Sequence, residues 1–218
     1  MDTLPRRIDG IDVSHHGGKE TVASCVVFTD GTPRKSDYRT YKIRSTEEGR
    51  PDDYQAMREV VERRYSRMAE EDGPWPDLVV IDGGKGQLNA AVEVLNDVGV
   101  DDQFEVIGLA KRLEEVFRPR DSDPVLIGKD SPALQLLQKV RNEAHRFAVT
   151  YQRKRRKKQT LQSELLDIHG IGPKTAQKLL SHFGSVAKVK EADEAALAEV
   201  VGPAKADTVA SYYAENGE

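Results

Sequence analysis

Two aspartates stand where a divalent-cation site forms readily. Asp82 closes the run Asp77-Leu78-Val79-Val80-Ile81-Asp82 and drops into Gly83-Gly84-Lys85-Gly86-Gln87; Asp12 closes Arg7-Ile8-Asp9-Gly10-Ile11-Asp12 in the same way. Short apolar runs of this kind read as buried strands, and parallel sheets put their sites at the carboxyl ends of such strands. Two carboxylates meeting there bind Mg2+ or Mn2+ through oxygen, and an ion so held acidifies water and neutralises charge on a phosphate. Asp53, beside Asp52 at the opening of a helical stretch, is a candidate third carboxylate. Acids in a first helical turn also complement the helix dipole with no further role.

Other residues suit a phosphate-bearing substrate. His145 lies one turn beyond Arg141 in Arg141-Asn142-Glu143-Ala144-His145-Arg146. A histidine at the site moves a proton, although a lone helical histidine serves equally as a boundary residue. Lys85, at a helix start, meets a phosphate or faces solvent. No Ser or Thr follows that lysine, so the Walker pattern is absent and nucleotide hydrolysis is excluded. Gly170-Ile171-Gly172, before a helix and followed by Lys174, leaves backbone N–H groups able to cradle a phosphate without reading sequence. A degenerate copy about thirty residues on carries a single Gly202 and reads as structural or as a weaker binder. Carboxylate site and phosphate-binding module on one chain suggest a metal-dependent nuclease.

These residues need elements to place them. Strand-like runs fall at about 7–12, 22–29 and 38–43, separated by Gly17-Gly18 and Asp30-Gly31-Thr32-Pro33, which predicts an antiparallel meander. A helix follows from about Asp53 to Glu71, then the strand ending at Asp82, a helix with Leu88, Ala91, Val92 and Leu95, and a strand from Phe104 to Ala110. Two short extended pieces come next, near Val116-Phe117 and Pro124–Ile127. Ser131 and Pro132 open a long helix that is able to run on into the basic stretch. That order predicts an α/β ribonuclease H-like domain over residues 1–152, with a mixed five-stranded sheet flanked by helices. A basic linker or helix end at 153–160 and a small all-α tandem helix-hairpin-helix domain at 161–218 complete the expectation.

Charge distribution agrees with a nucleic-acid partner. The net charge is −4, but residues 151–218 hold 11 basic and 9 acidic side chains against 22 and 28 before them. Arg153, Lys154, Arg155, Arg156, Lys157 and Lys158 form one run, a candidate phosphate contact or a solvated helix end. One cysteine, Cys25, excludes an internal disulfide framework and a cysteine zinc site. With no signal-peptide core and no membrane-length apolar run, the sequence predicts a cytoplasmic protein with no membrane partner.

Gly10-Ile11-Asp12-Val13-Ser14-His15, Pro51-Asp52-Asp53-Tyr54-Gln55-Ala56-Met57 and Val80-Ile81-Asp82-Gly83-Gly84-Lys85-Gly86-Gln87-Leu88 carry a resemblance, as do Gly108-Leu109-Ala110-Lys111, Asp130-Ser131-Pro132-Ala133-Leu134 and Arg141–Ala148. From about Arg7 to its end the chain resembles the C-terminal half of the UvrC family of excinuclease proteins. The resemblance implies an endonuclease of nucleotide excision repair that cuts the damaged strand on the 5′ side of a lesion, with Mg2+ or Mn2+ as cofactor. It implies metal carboxylates at Asp12 and Asp82, an essential histidine at His145 and a further functional aspartate at Asp53, with Asp52 leaving that register open. Lesion-containing double-stranded DNA and the damage-loading protein UvrB are the implied partners. Family members carry, ahead of this region, a second nuclease domain, a cysteine-rich segment and the motif that docks on UvrB, none of which this chain contains. A DNA-binding scaffold that positions another nuclease is therefore the alternative, and a junction resolvase or RNA-cutting enzyme on the same fold a further one.

Overall fold

The computed structural model describes residues 4–16, 20–45, 52–111 and 114–215, except for the side chains of His16, Glu20, residues 154–163 and Glu215. The chain forms two compact units, Met1–Gln152 and Arg153–Glu218.

In the first unit, β1 (Arg7–His16) pairs antiparallel with β2 (Glu20–Thr29) along its whole length, and β2 also carries the short β3 (Thr32–Pro33) and β4 (Arg39–Lys42). On its other edge β1 pairs parallel with β5 (Leu78–Asp82), which pairs parallel with β6 (Glu105–Ala110); β7 (Glu115–Phe117) turns back antiparallel to β6. The sheet therefore has seven strands in the order β3-β2-β1-β5-β6-β7, with β4 also on β2. The expected five-stranded sheet is corrected on this point. Of the two additional strands, β3 has only two residues, within the segment expected to be a turn, and β7 is the short extended piece expected near Val116-Phe117, which proves to join the sheet. The Gly17-Gly18 turn lies outside the described residues.

Alternation along the strands builds two cores. Ile11, Val79 and Ile81 face a cluster made with Met57, Val60, Val61 and Tyr65 of α1 (Asp53–Glu70) and Leu88, Ala91 and Leu95 of α2 (Lys85–Val98). Ile8, Leu78 and Val80 face Leu134, Leu137, Val140 and Ala144 of α3 (Pro132–Leu166). All five residues of β5 are buried, as a central strand covered on both faces requires. A buried ion pair ties α1 to β1: Arg64 donates through Nε (2.9 Å) and Nη2 (2.6 Å) to Oδ2 of Asp9.

The approach of α3 to β1 depends on one missing side chain. A Cβ at Gly10 would stand 2.5 Å from Cγ1 of Val140. With glycine there the helix lies close, and Ser24 Oγ on β2 donates to the Ala144 carbonyl at 2.8 Å. Farther along α3, Gln152 Nε2 donates to the Ser14 carbonyl at 3.1 Å.

The second unit is all helix. Leu165 of α3, Ile168 and Ile171 pack with α4 (Pro173–Phe183), α5 (Val186–Glu191), α6 (Glu194–Val201) and α7 (Pro203–Glu215) through Leu179, Val186, Val189, Leu197, Ala206 and Val209. Gly170 and Gly202 both take φ of 84° in the turns before α4 and α7, a left-handed backbone that favours glycine. The architecture is a ribonuclease H-like α/β domain followed by a tandem helix-hairpin-helix. Among the described residues, no helix is long and apolar enough to cross a membrane.

Candidate active site

The parallel pairing of β1 with β5 ends at Ile11↔Ile81. One residue further, Asp12 and Asp82 leave the two strands side by side, both buried. By the alternation of each strand they point to the face that α3 covers, and α3 brings His145 there. His145 Nδ1 lies 3.4 Å from Asp12 Oδ2, with half of the imidazole exposed. One ligand atom each of Asp12, Asp82 and His145 all fall within 4.8 Å of one another.

Two neighbours shape the charge of this cluster. Ser14 Oγ donates to Asp12 Oδ2 at 2.6 Å, and Lys111, directly after β6, sets Nζ 3.1 Å from Asp82 Oδ2. Burial first, then the hydrogen bond and repulsion from Asp12, push the Asp82 carboxyl up to about 7 against the pull of Lys111. Asp82 Oδ2 is buried and receives no aligned hydrogen bond. Two buried carboxylates that repel each other, with an imidazole beside them, fit a divalent cation.

Asp53 and Asp52 have separate positions. Asp52 is the N-cap of α1, accepting from the N–H groups of Tyr54 (3.0 Å) and Gln55 (2.9 Å). Asp53 instead bonds His15 Nε2, while His15 Nδ1 shares a 2.9 Å hydrogen bond with Thr21 Oγ1. His15 lies three residues beyond Asp12 on β1, so alternation turns it to the opposite face. Asp53 thus reaches the strand that bears Asp12 without joining the cluster of three.

The candidate DNA contacts fall differently. Lys85 is exposed at the first position of α2. Arg141 is buried; its guanidinium donates to both carboxylate oxygens of Glu114, at 2.7 and 3.1 Å, so the structure holds it inward instead of on an open surface. Arg153 is exposed, and the side chains of Lys154, Arg155 and Arg156 lie outside the described residues. Gly170, Gly172 and Lys174 are exposed together at the start of α4, where the N–H groups of Thr175 and Ala176 return to the Gly172 carbonyl. In the second hairpin Ala206 N–H returns to the Gly202 carbonyl in the same way, and Lys205 Nζ donates to Thr175 Oγ1 at 3.0 Å.

Sequence reasoning did not single out Ser14, His15, Lys111 or Glu114 as site neighbours. The run Gly108-Leu109-Ala110-Lys111 enters only among the segments that carry the resemblance, with no role given to its lysine.

Comparison with known proteins places this geometry. Residues 1–149 match the family model of the UvrC RNAse H endonuclease domain, and residues 163–211 match that of the SAM-like helix-hairpin-helix tandem. The UvrABC system protein C of Salinibacter ruber is 83% identical over 215 residues, covering 99% of this chain and 34% of that protein. The protein of the same name from Prosthecochloris aestuarii is 52% identical over 213 residues, covering 98% and 34%. The chain thus spans about a third of the length of these curated relatives. Among solved structures, endonuclease V of Ciona intestinalis in complex with an inosine-containing DNA aligns at a TM-score of 0.43 and 14% identity, over 69% of this chain and 87% of that one. Endonuclease V of Streptomyces avermitilis aligns at 0.44 and 15%, over 70% and 84%.

Proposed function

The chain belongs to the UvrC family through its ribonuclease H endonuclease domain, and from that premise we propose that it is a divalent-metal-dependent DNA endonuclease of nucleotide excision repair, cutting the damaged strand on the 5′ side of a lesion. The observation that carries the proposal is the convergence of Asp12, Asp82 and His145 within 4.8 Å where the parallel pairing of β1 with β5 ends.

Asp12 and Asp82 would hold the ion, with His145 completing the set or taking a proton at Nδ1. When bound, Mg2+ or Mn2+ supplies Lewis acidity toward water and toward a phosphate oxygen. Ser14 fixes the Asp12 carboxylate by occupying one lone pair of Oδ2. The chain also has to position its substrate: a phosphodiester must lie across the exposed edge of His145 so that attack runs in line with the leaving 3′ oxygen. Asp53, held by His15, is the further functional aspartate of this reading.

The second unit supplies the hold on DNA. Exposed Gly170, Gly172 and Lys174 offer backbone N–H groups and a charge to a phosphate, with Lys85 and Arg153 adding charge on the surface. Such contacts position a duplex without reading it, which suits a nuclease whose sites are set by a lesion. Recognition of the lesion would then fall to the damage-loading protein UvrB. In this reading the reaction takes place in the cytoplasm.

The test is incision of an end-labelled duplex with one lesion, already nicked on its 3′ side, with UvrB and Mg2+ or Mn2+. Wild type should cut once, 5′ to the lesion, and Asp82→Asn should not cut while binding DNA as before. Equal cutting by both proteins would sink the site assignment. Binding without cutting by wild type would instead favour the scaffold reading.

A further inference from the structure

Beside the buried carboxylates stands one cation that their pairing alone does not explain. Lys111 places Nζ 3.1 Å from Asp82 Oδ2, yet the two partners are unequally covered: the lysine side chain is 57% exposed and the aspartate side chain 2%. A lysine serving only as counter-ion to a buried carboxylate is best buried with it, because the attraction grows as solvent is excluded. Here the ammonium sits at the solvent edge of the cluster.

The end of β6 before Lys111 is held by a second contact, the pairing of Ala110 with Glu115 on β7. Three residues beyond Lys111, Glu114 takes a left-handed backbone with φ of 56°. Its carboxylate is gripped at both oxygens by Arg141, one helical turn before His145 on α3. Anchors at Asp82 and at α3 therefore fix the end of β6 beside the cluster. The Glu114 carboxylate is itself committed to Arg141.

Charge shows what the lysine adds. Asp12 and Asp82 together offset one divalent ion, whereas a phosphodiester brings one negative charge and gains another as it is attacked. Among the described residues, Lys111 is the fixed positive charge paired with an aspartate of this cluster, and it can meet that second one. We propose that Lys111 is a further catalytic residue, whose ammonium contacts a non-bridging oxygen of the scissile phosphate and stabilises the charge that develops there. The role rests on the nuclease reading above and adds to it a residue from the end of β6. Asp82 holds the ammonium in readiness, and Glu114, gripped by Arg141, anchors β7 beside the end of β6.

The test compares the 218-residue wild type with Lys111→Met by two readouts. Free Mn2+, followed by electron paramagnetic resonance during titration without DNA, reports the cluster alone. Single-turnover incision of the nicked, lesion-bearing duplex at saturating protein, UvrB and Mn2+ reports the chemical step. Lys111→Met should bind Mn2+ and DNA within about threefold of wild type, as loss of a partly exposed pair implies. It should cut about 100-fold or more slowly, the cost of deleting one charge-stabilising donor. A merely structural lysine would lower Mn2+ affinity in parallel with rate, and that result overturns the proposal, as does a cutting rate within about threefold of wild type. Failure of wild type to bind Mn2+ would overturn the nuclease reading itself.

Discussion

Ser14 Oγ donates a 2.6 Å hydrogen bond to Asp12 Oδ2 from two residues further along the same strand, and the same oxygen faces His145 Nδ1 at 3.4 Å. The serine therefore fixes which lone pair of Asp12 is left for an ion. In Ser14→Ala the carboxylate is free to rotate, and Mn2+ affinity should fall about 10- to 100-fold, the usual effect of losing a partner that orients a ligand. The melting temperature should move little. Mn2+ titration beside a thermal melt checks both, and unchanged affinity would remove Ser14 from the site.

Stability should depend on pH through Asp82. Its carboxyl is raised to about 7 in the folded chain, chiefly by burial and by Asp12, while the unfolded group titrates near its ordinary value. Between roughly pH 4 and pH 7 the folded state then binds more protons than the unfolded one, so metal-free stability falls as pH rises through that window. Above it the loss is complete. Melting temperatures recorded across the window should decline for wild type and stay flatter for Asp82→Asn. Added Mg2+ should recover more stability at the alkaline end, where no proton competes for the carboxylate. Parallel curves for the two proteins would refute the assignment of the burden to Asp82.

Gly10 sets the distance between α3 and the sheet. In Gly10→Ala the new methyl group would meet Val140 Cγ1 at 2.5 Å and Val26 Cγ2 at 3.1 Å, so the helix must retreat. Overpacking of this kind costs about 1–3 kcal/mol, and it also draws His145 away from Asp12. We expect a lower melting temperature and slower incision, with Val140→Ala restoring much of both in the double variant. A melting temperature equal to wild type would show that the contact relaxes without consequence.

Lys174, exposed beside Gly172, should act on DNA of every sequence alike. Lys174→Ala should weaken binding uniformly and reduce the slope of log affinity against log salt by about 1, as loss of one phosphate contact implies. Fluorescence anisotropy over a salt series decides this, and an unchanged slope would place the lysine outside the interface.

The strand segments that lead to Asp12 and Asp82 were legible because each is a short apolar run, and Asp82 is followed at once by glycines. α1 and the tandem hairpins were legible from helical spacing and from the repeated Gly-Pro before a helix. Burial of Arg141 was not, because its partner Glu114 lies 27 residues away in sequence, on a turn with no periodic pattern. Lys111 was obscured for a related reason: a lysine after a strand looks solvated until the neighbouring strand is known to end in a buried carboxylate. The extension of β1 past Asp12 to His16 comes from pairing with β2 and carries no apolar signal of its own. Local pattern thus identified the two carboxylates, whereas the groups that tune them depend on which strand lies beside which.

Cys25 is the one cysteine of these 218 residues, and burial between the sheet and α1 pushes its thiol up to about 12. At neutral pH it offers almost no thiolate and no open path to a reagent. The chain is thus ready for maleimide labelling without prior removal of a native thiol. A cysteine introduced at exposed Arg153 or Leu126 would carry the only fluorophore, and its emission would follow DNA loading from a single known position.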